Sequence, residues 1–282
     1  MTVETVVRND VVFATGGERD LRCDVYSPAE AAERAPGVLL VHGGAWRMGD
    51  RSVMTGYGHA LAAQGFVCVA SEYRLTPESP WPAHIHDVKA AIRWVRANAD
   101  ELNIDEARIA VLGRSAGGHL ALLAAGTPNH PDLEGEGGNP GVGTEVAAVV
   151  GIFPPTVFHP DGQRVPGGTA ASALIQETAT EDALRLASPL HQITRDYPPT
   201  FLLHGTGDKV VPPSASMVMY QALVAAGVPV EMHMYAGQAH GFAGRPDFLD
   251  LCALEIGHFL HRCFAPTTDD PQVALSAAPA RA

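Results

Sequence analysis

The stretch Arg108–Ala125, RIAVLGRSAGGHLALLAA, decides the fold. RIAVLG is a short apolar run with the make-up of a buried strand, and HLALLAA has that of a buried helix. Only Gly113-Arg114-Ser115-Ala116-Gly117 lies at the junction. A serine on so abrupt a strand-to-helix turn needs very small neighbours two residues to either side, which Gly113 and Gly117 supply. This is a G-x-S-x-G nucleophile elbow with a strand before it and a helix after it. The free N–H groups of that helix favour negative charge as it develops. Ser115 is therefore the candidate nucleophile.

Outward from the elbow, short β-branched runs alternate with amphipathic segments. VVRNDVVF and LRCDVYS read as edge strands, followed by VLLVH, a helix ending near Gln64, FVCVASEY and the helix HDVKAAIRWVRANADEL. After HLALLAA come VAAVVGIF, TFLLHGTGD, a helix over 216–226, VEMHMYAG and a last helix over 248–263. The alternation predicts the α/β class, with a mostly parallel sheet of about eight strands and helices on both faces. In HDVKAAIRWVRANADEL, Val88, Ile92 and Val95 recur at helical spacing while Lys89, Arg93 and Arg96 fall elsewhere, which predicts a surface helix. Residues 154–199, opening with PPTVFHPDGQRVPGG, break the pattern and read as an excursion that either lines the active site or packs as a structural loop. At 282 residues the chain suits a single domain over 1–265, with an Ala-, Pro- and Asp-rich flexible tail over 266–282.

A serine hydroxyl attacks only when a base takes its proton and a third group orients that base. Asp208 in LLHGTGDKVVP follows one strand and His240 in MYAGQAHGF follows the next, giving the order Ser, Asp, His. The strand VLLV ends in His42-Gly43-Gly44-Ala45-Trp46, a loop whose backbone N–H groups can cradle an oxyanion. Gly44 and Ala45 offer two donors and Ala116 a third. His204, His84 and His86 read as exposed or packing residues. His258 and His261 are three apart on the last helix, but neither cysteines nor acids join them, so no metal site is expected. The chemistry needs no cofactor.

A formal charge of -12 opposes sequence-independent binding to nucleic acid or to an anionic membrane. No basic segment leads into an apolar run at the start, and no long apolar span follows. Cys23, Cys68, Cys252 and Cys263 lack zinc-type spacing, which with the missing leader predicts a reduced, cytoplasmic protein. The expected partner is a small-molecule ester substrate. Sheet edges and the last helix are the candidate pairing surfaces for a homodimer.

HGGAW, YRLTPE followed by WPAHIHDVKAAIRWV, GRSAGG, GTGDKVVP and AGQAHGF together resemble the α/β-hydrolase-fold esterases related to hormone-sensitive lipase. The resemblance runs from about Leu21 to Phe264 and is greatest to the compact branch with feruloyl-esterase-like and arylformamidase-like enzymes. It implies Ser115 as nucleophile, His240 as base, Asp208 as its partner, and Gly44, Ala45 and Ala116 as oxyanion donors. It implies a serine carboxylesterase acting on short-chain acyl or aryl esters, with N-formyl amide hydrolysis as the alternative. A non-catalytic ligand-binding relative would show a broken triad, whereas all three members are present here. Two positions depart from the pattern: Ala45 replaces a third glycine, and Arg114 replaces an acid and either pairs with Glu72 or faces solvent. Arg74, Glu78 and Asp87 read as structural ion-pair residues. With 41 residues before His42, no multi-helix N-terminal cap is expected, which leaves a shallow cleft suited to short acyl groups.

Overall fold

In the computed structural model, residues 4–30, 33–76, 78–158, 174 and 180–265 are described. Eight strands form one sheet: β1 (Thr5–Gly16), β2 (Arg19–Pro28), β3 (Ala35–Val41), β4 (Val67–Ser71), β5 (Ile104–Arg114), β6 (Ala148–Ile152), β7 (Thr200–Gly205) and β8 (Val230–Tyr235). Their order is β1-β2-β4-β3-β5-β6-β7-β8, with β1/β2 and β2/β4 antiparallel and every other pair parallel. Strands β3, β4, β6 and β7 are buried at every residue, which is why they read as unbroken apolar runs rather than alternating ones. Both faces of the sheet are covered.

The covering helices are α1 (Thr55–Ala62), α2 (Ala83–Ala97), α3 (Ala116–Gly126), α4 (Ser214–Ala225) and α5 (Pro246–Phe264). Helices α2, α3 and α4 share one core, where Val88, Leu120 and Met219 join the strand residues Leu39, Val69 and Val111. Helices α1 and α5 share the other, where Leu61 and Ile256 join Leu40, Leu112 and Val150. This is the α/β-hydrolase fold. The strand order reverses between β3, which leads to β4 on one side, and β5, which leads to β6 on the other. In an open α/β sheet such a switch point leaves a crevice beyond the carboxyl ends of the strands, and ligands bind there.

Helix α2 differs from its sequence reading. Its helical turns stop at Ala97, where the Asn98 side-chain amide donates to Trp94 O at 2.8 Å, and a separate turn follows over Ala99–Leu102. Nor is it a surface helix, because Lys89 is 0% and Arg93 3% exposed. The segment after α3 folds back over the helix: Lys89 and Arg93 share the Glu134 carboxylate at 2.6 and 2.8 Å, and Arg93 also reaches Gly137 O. Arg74 and Asp87 pair as expected at 2.7 Å, whereas Glu78 turns to Arg19 at 3.0 Å.

Of the expected excursion, residues 159–173 and 175–179 lie outside the described residues, as does the 266–282 tail. The two ends of the excursion are pinned together, Phe158 N donating to Ser188 Oγ and Leu190 N to Thr156 O. Cys23, Cys68 and Cys252 are buried free thiols, and Cys263 is half-buried. Among the described residues no helix is long and apolar enough to cross a membrane.

Candidate active site

Ser115 stands at the carboxyl end of β5 with φ 52° and ψ −118°, a strained conformation for a residue with a side chain. Ser115 N donates to Ile152 O at 2.9 Å and Ser115 O accepts from His119 N at 3.0 Å, so strand and helix both hold the turn. A Cβ on Gly113 would overlap the Gly117 carbonyl, and one on Gly117 would overlap the carbonyls of Val41 and His42. Those overlaps are the physical content of the two glycines read from the sequence. They also show how closely the loop after β3 approaches the elbow.

That loop carries three successive residues at positive φ: Gly44 at 129°, Ala45 at 51° and Trp46 at 60°. Its conformation is fastened at several points. Gly44 O accepts from Arg47 N and Met48 N, Trp46 O accepts from Thr76 N, and the Tyr73 hydroxyl donates to His42 O. A Cβ on Gly43 would lie 3.2 Å from Ser115 Cβ, so the loop lies directly against the serine. Among the described residues, the N–H groups of Gly44, Ala45 and Ala116 donate to no protein acceptor. Among the described residues, three backbone donors without a protein acceptor thus lie on the two segments that meet at Ser115.

His240, beyond β8, completes a continuous chain. Ser115 Oγ donates to His240 Nε2 at 2.9 Å, and His240 Nδ1 donates to Asp208 Oδ2 at 2.6 Å. Asp208 is 6% exposed, and its other oxygen accepts from Val210 N at 2.8 Å and Val211 N at 2.9 Å. Both oxygens of the buried carboxylate are thus satisfied, as an interior charge requires. The His240 ring packs 4.6 Å from Phe153, which itself sits at φ 40° after β6. Ser115, Asp208, His240 and the Gly44–Trp46 loop all lie at the carboxyl ends of parallel strands.

Arg114 follows neither option drawn from the sequence. Glu72 is occupied by Arg19 and Arg51, and the Arg114 guanidinium lies over the rings of Tyr57 and Phe153 at 5.9 and 5.8 Å. Aromatic faces attract a desolvated cation, so the side chain turns onto the α1/α5 side of the sheet. Burial holds its pKa below the usual arginine value.

Two histidines that carry no catalytic signature in the sequence bond to the site. His119, four residues after Ser115 on α3, accepts from Trp46 Nε1 at 3.3 Å and donates from Nε2 to Ala187 O at 2.7 Å. Burial pushes its pKa down to about 3, so it stays neutral and ties the Gly44–Trp46 loop to α3. His204, which reads from the sequence as an exposed or packing residue, stands at the end of β7 four residues before Asp208. It is wholly buried, with Nε2 3.4 Å from Asp208 Oδ2. The shared spacing of four residues from Ser115 and from Asp208 is the signal available in the sequence.

Known proteins resemble this chain at both levels. The BD-FAE family profile matches residues 23–223. Esterase LipC of Mycobacterium tuberculosis is 38% identical over 226 residues, covering 77% of this chain and 54% of LipC. The chain spans about half the length of LipC and of two further mycobacterial relatives that it matches. Among solved structures, the thermophilic esterase Est2 of Thermogutta terrifontis with butyrate bound superposes with a TM-score of 0.76 at 28% identity, covering 92% of this chain and 93% of that one. Esterase 2 of the same organism, phosphonylated by sarin, gives 0.80 at 28% identity, covering 94% and 96%.

Proposed function

Because the chain belongs to the BD-FAE family, we propose that it is a serine carboxylesterase that hydrolyses small-molecule esters through an acyl-enzyme on Ser115. The observation that carries this reading is the unbroken Ser115–His240–Asp208 hydrogen-bond chain, beside a loop that packs against Ser115. Ser115 Oγ attacks the ester carbonyl as His240 Nε2 takes its proton. The buried Asp208 carboxylate steadies the imidazolium that forms. The N–H groups of Gly44, Ala45 and Ala116 receive the oxyanion, and Ala45 serves as well as glycine because only its backbone is used. His240 returns the proton to the departing alcohol. Water then attacks the acyl-enzyme with His240 again as base, and the acid leaves.

The esterase names of LipC and of the Thermogutta proteins favour an ester over an N-formyl amide. Butyrate bound to Est2 supports a short acyl group, because each methylene left in water forgoes about 0.8 kcal/mol of transfer free energy. The expected profile for p-nitrophenyl esters is therefore a kcat/KM maximum at short acyl chains; a maximum at dodecanoate would reverse the specificity reading. Ser115→Ala is expected to fold normally and lose at least about a thousandfold in turnover. A fluorophosphonate should label the parent protein and not the variant. Near-parental hydrolysis by Ser115→Ala would end the mechanism.

A further inference from the structure

Asp208 has a second imidazole beside it, and the hydrogen bonds around that ring determine what it offers. His204 Nε2 lies 2.9 Å from Val211 O. A carbonyl oxygen can only accept, so Nε2 carries the hydrogen. His204 Nδ1 lies 2.7 Å from Ser216 Oγ on α4, whose hydroxyl donates to the remaining lone pair. The ring is 0% exposed, and burial lowers its pKa. Among the described residues the titratable groups that face it are Asp208 and His240; the Phe153 ring, 6.5 Å away, is the aromatic neighbour. The Nε2–H is therefore donated to Val211 O and keeps its positive end 3.4 Å from Asp208 Oδ2, the same oxygen that accepts from His240.

We propose that His204 is a positioning residue for the Ser115–His240–Asp208 chain: a fixed, neutral imidazole whose N–H dipole holds the Asp208 carboxylate in place and moderates its pull on His240. At 3.4 Å the contact with Oδ2 is longer than a full hydrogen bond, so its effect is electrostatic and orienting. Val211 links the two functions, because its N–H holds Asp208 Oδ1 while its carbonyl holds His204. Loss of the His204 N–H would leave Asp208 held by Val210 N and Val211 N on Oδ1 and by His240 alone on Oδ2. It would also leave the carboxylate more basic, so that it stabilises the His240 imidazolium more strongly and moves the acid limb of the rate profile to higher pH.

The inference rests on the ester-hydrolase reading, and a pair of polar replacements tests it. The longer amide introduced by His204→Gln reaches the Nε2 position with an N–H, whereas the shorter one introduced by His204→Asn reaches only the Nδ1 position. With p-nitrophenyl butyrate, His204→Asn is expected to lose at least about tenfold in kcat with KM within about twofold, since small misplacements of a catalytic group have effects of this size. Its acid limb should shift upward, and His204→Gln should recover most of kcat and the parental limb. Melting temperatures measured on both variants separate loss of fold from loss of positioning. Equal kcat values and equal acid limbs in the two folded variants would overturn the positioning role while leaving the esterase reading intact. An inactive parent protein would overturn both.

Discussion

At the scale of single residues, the Gly44–Trp46 loop is the most sensitive part of the site. Gly44 sits at φ 129°, and a Cβ there would overlap the Met48 carbonyl. Gly44→Ala is expected to displace the loop and lower kcat about a hundredfold, the usual effect of losing one oxyanion donor, while KM changes far less. Full kcat in a folded Gly44→Ala protein would show that the oxyanion is bound elsewhere. The elbow and this loop were legible in the sequence because each is a short motif: Gly113 and Gly44 are imposed by atoms within their own motifs, and Gly117 completes the elbow although the atoms that impose it belong to the loop after β3. His204, His119 and Arg114 were not. His204 and His119 acquire meaning from Val211, Ser216, Trp46 and Ala187, and Arg114 from Tyr57 and Phe153, groups gathered only by folding.

At the scale of elements, the alternation of strands and helices was legible because burial on both faces writes continuous apolar runs into the chain. The surroundings of α2 were not, for periodicity shows which residues point away from the sheet and is silent on what lies above them. Glu134 supplies that cover. It is the one carboxylate bonded to both Lys89 and Arg93 among the described residues, and burial lowers the pKa of each cation. Removing one partner of a buried ion pair leaves an uncompensated charge and typically destabilises by about 3–5 kcal/mol. Glu134→Ala should therefore lower the urea midpoint substantially and loosen the segment over α2 while leaving the Ser115 hydrogen bonds in place. A loss below about 1 kcal/mol would mean that solvent already screens the pair.

At the scale of the whole molecule, buried neutral histidines are expected to lower stability in acid. Burial pushes His84 down to about 4 and His119 down to about 3, from an ordinary value of 6.5. Below pH 6.5 the unfolded chain takes up protons that the folded chain refuses until those lower values are reached. Stability is thus present at neutral pH and is lost as pH falls from 6.5 towards 4, by up to about 1.4 kcal/mol per pH unit for each histidine. His84→Gln should flatten the decline of urea stability over this range; the same slope in parent and variant would assign acid sensitivity to other groups. The buried thiols open a different view of the same molecule. Cys23 belongs to the core on one face of the sheet, and Cys68 and Cys252 to the core on the other. Burial raises all three thiol pKa values, Cys23 to about 12, so none reacts until its element opens. The rate at which a disulfide reagent consumes each one is a stopwatch for the opening of that layer. A common rate would mean that the sheet and its helices breathe as one body, and an early Cys252 would mean that α5 peels away first.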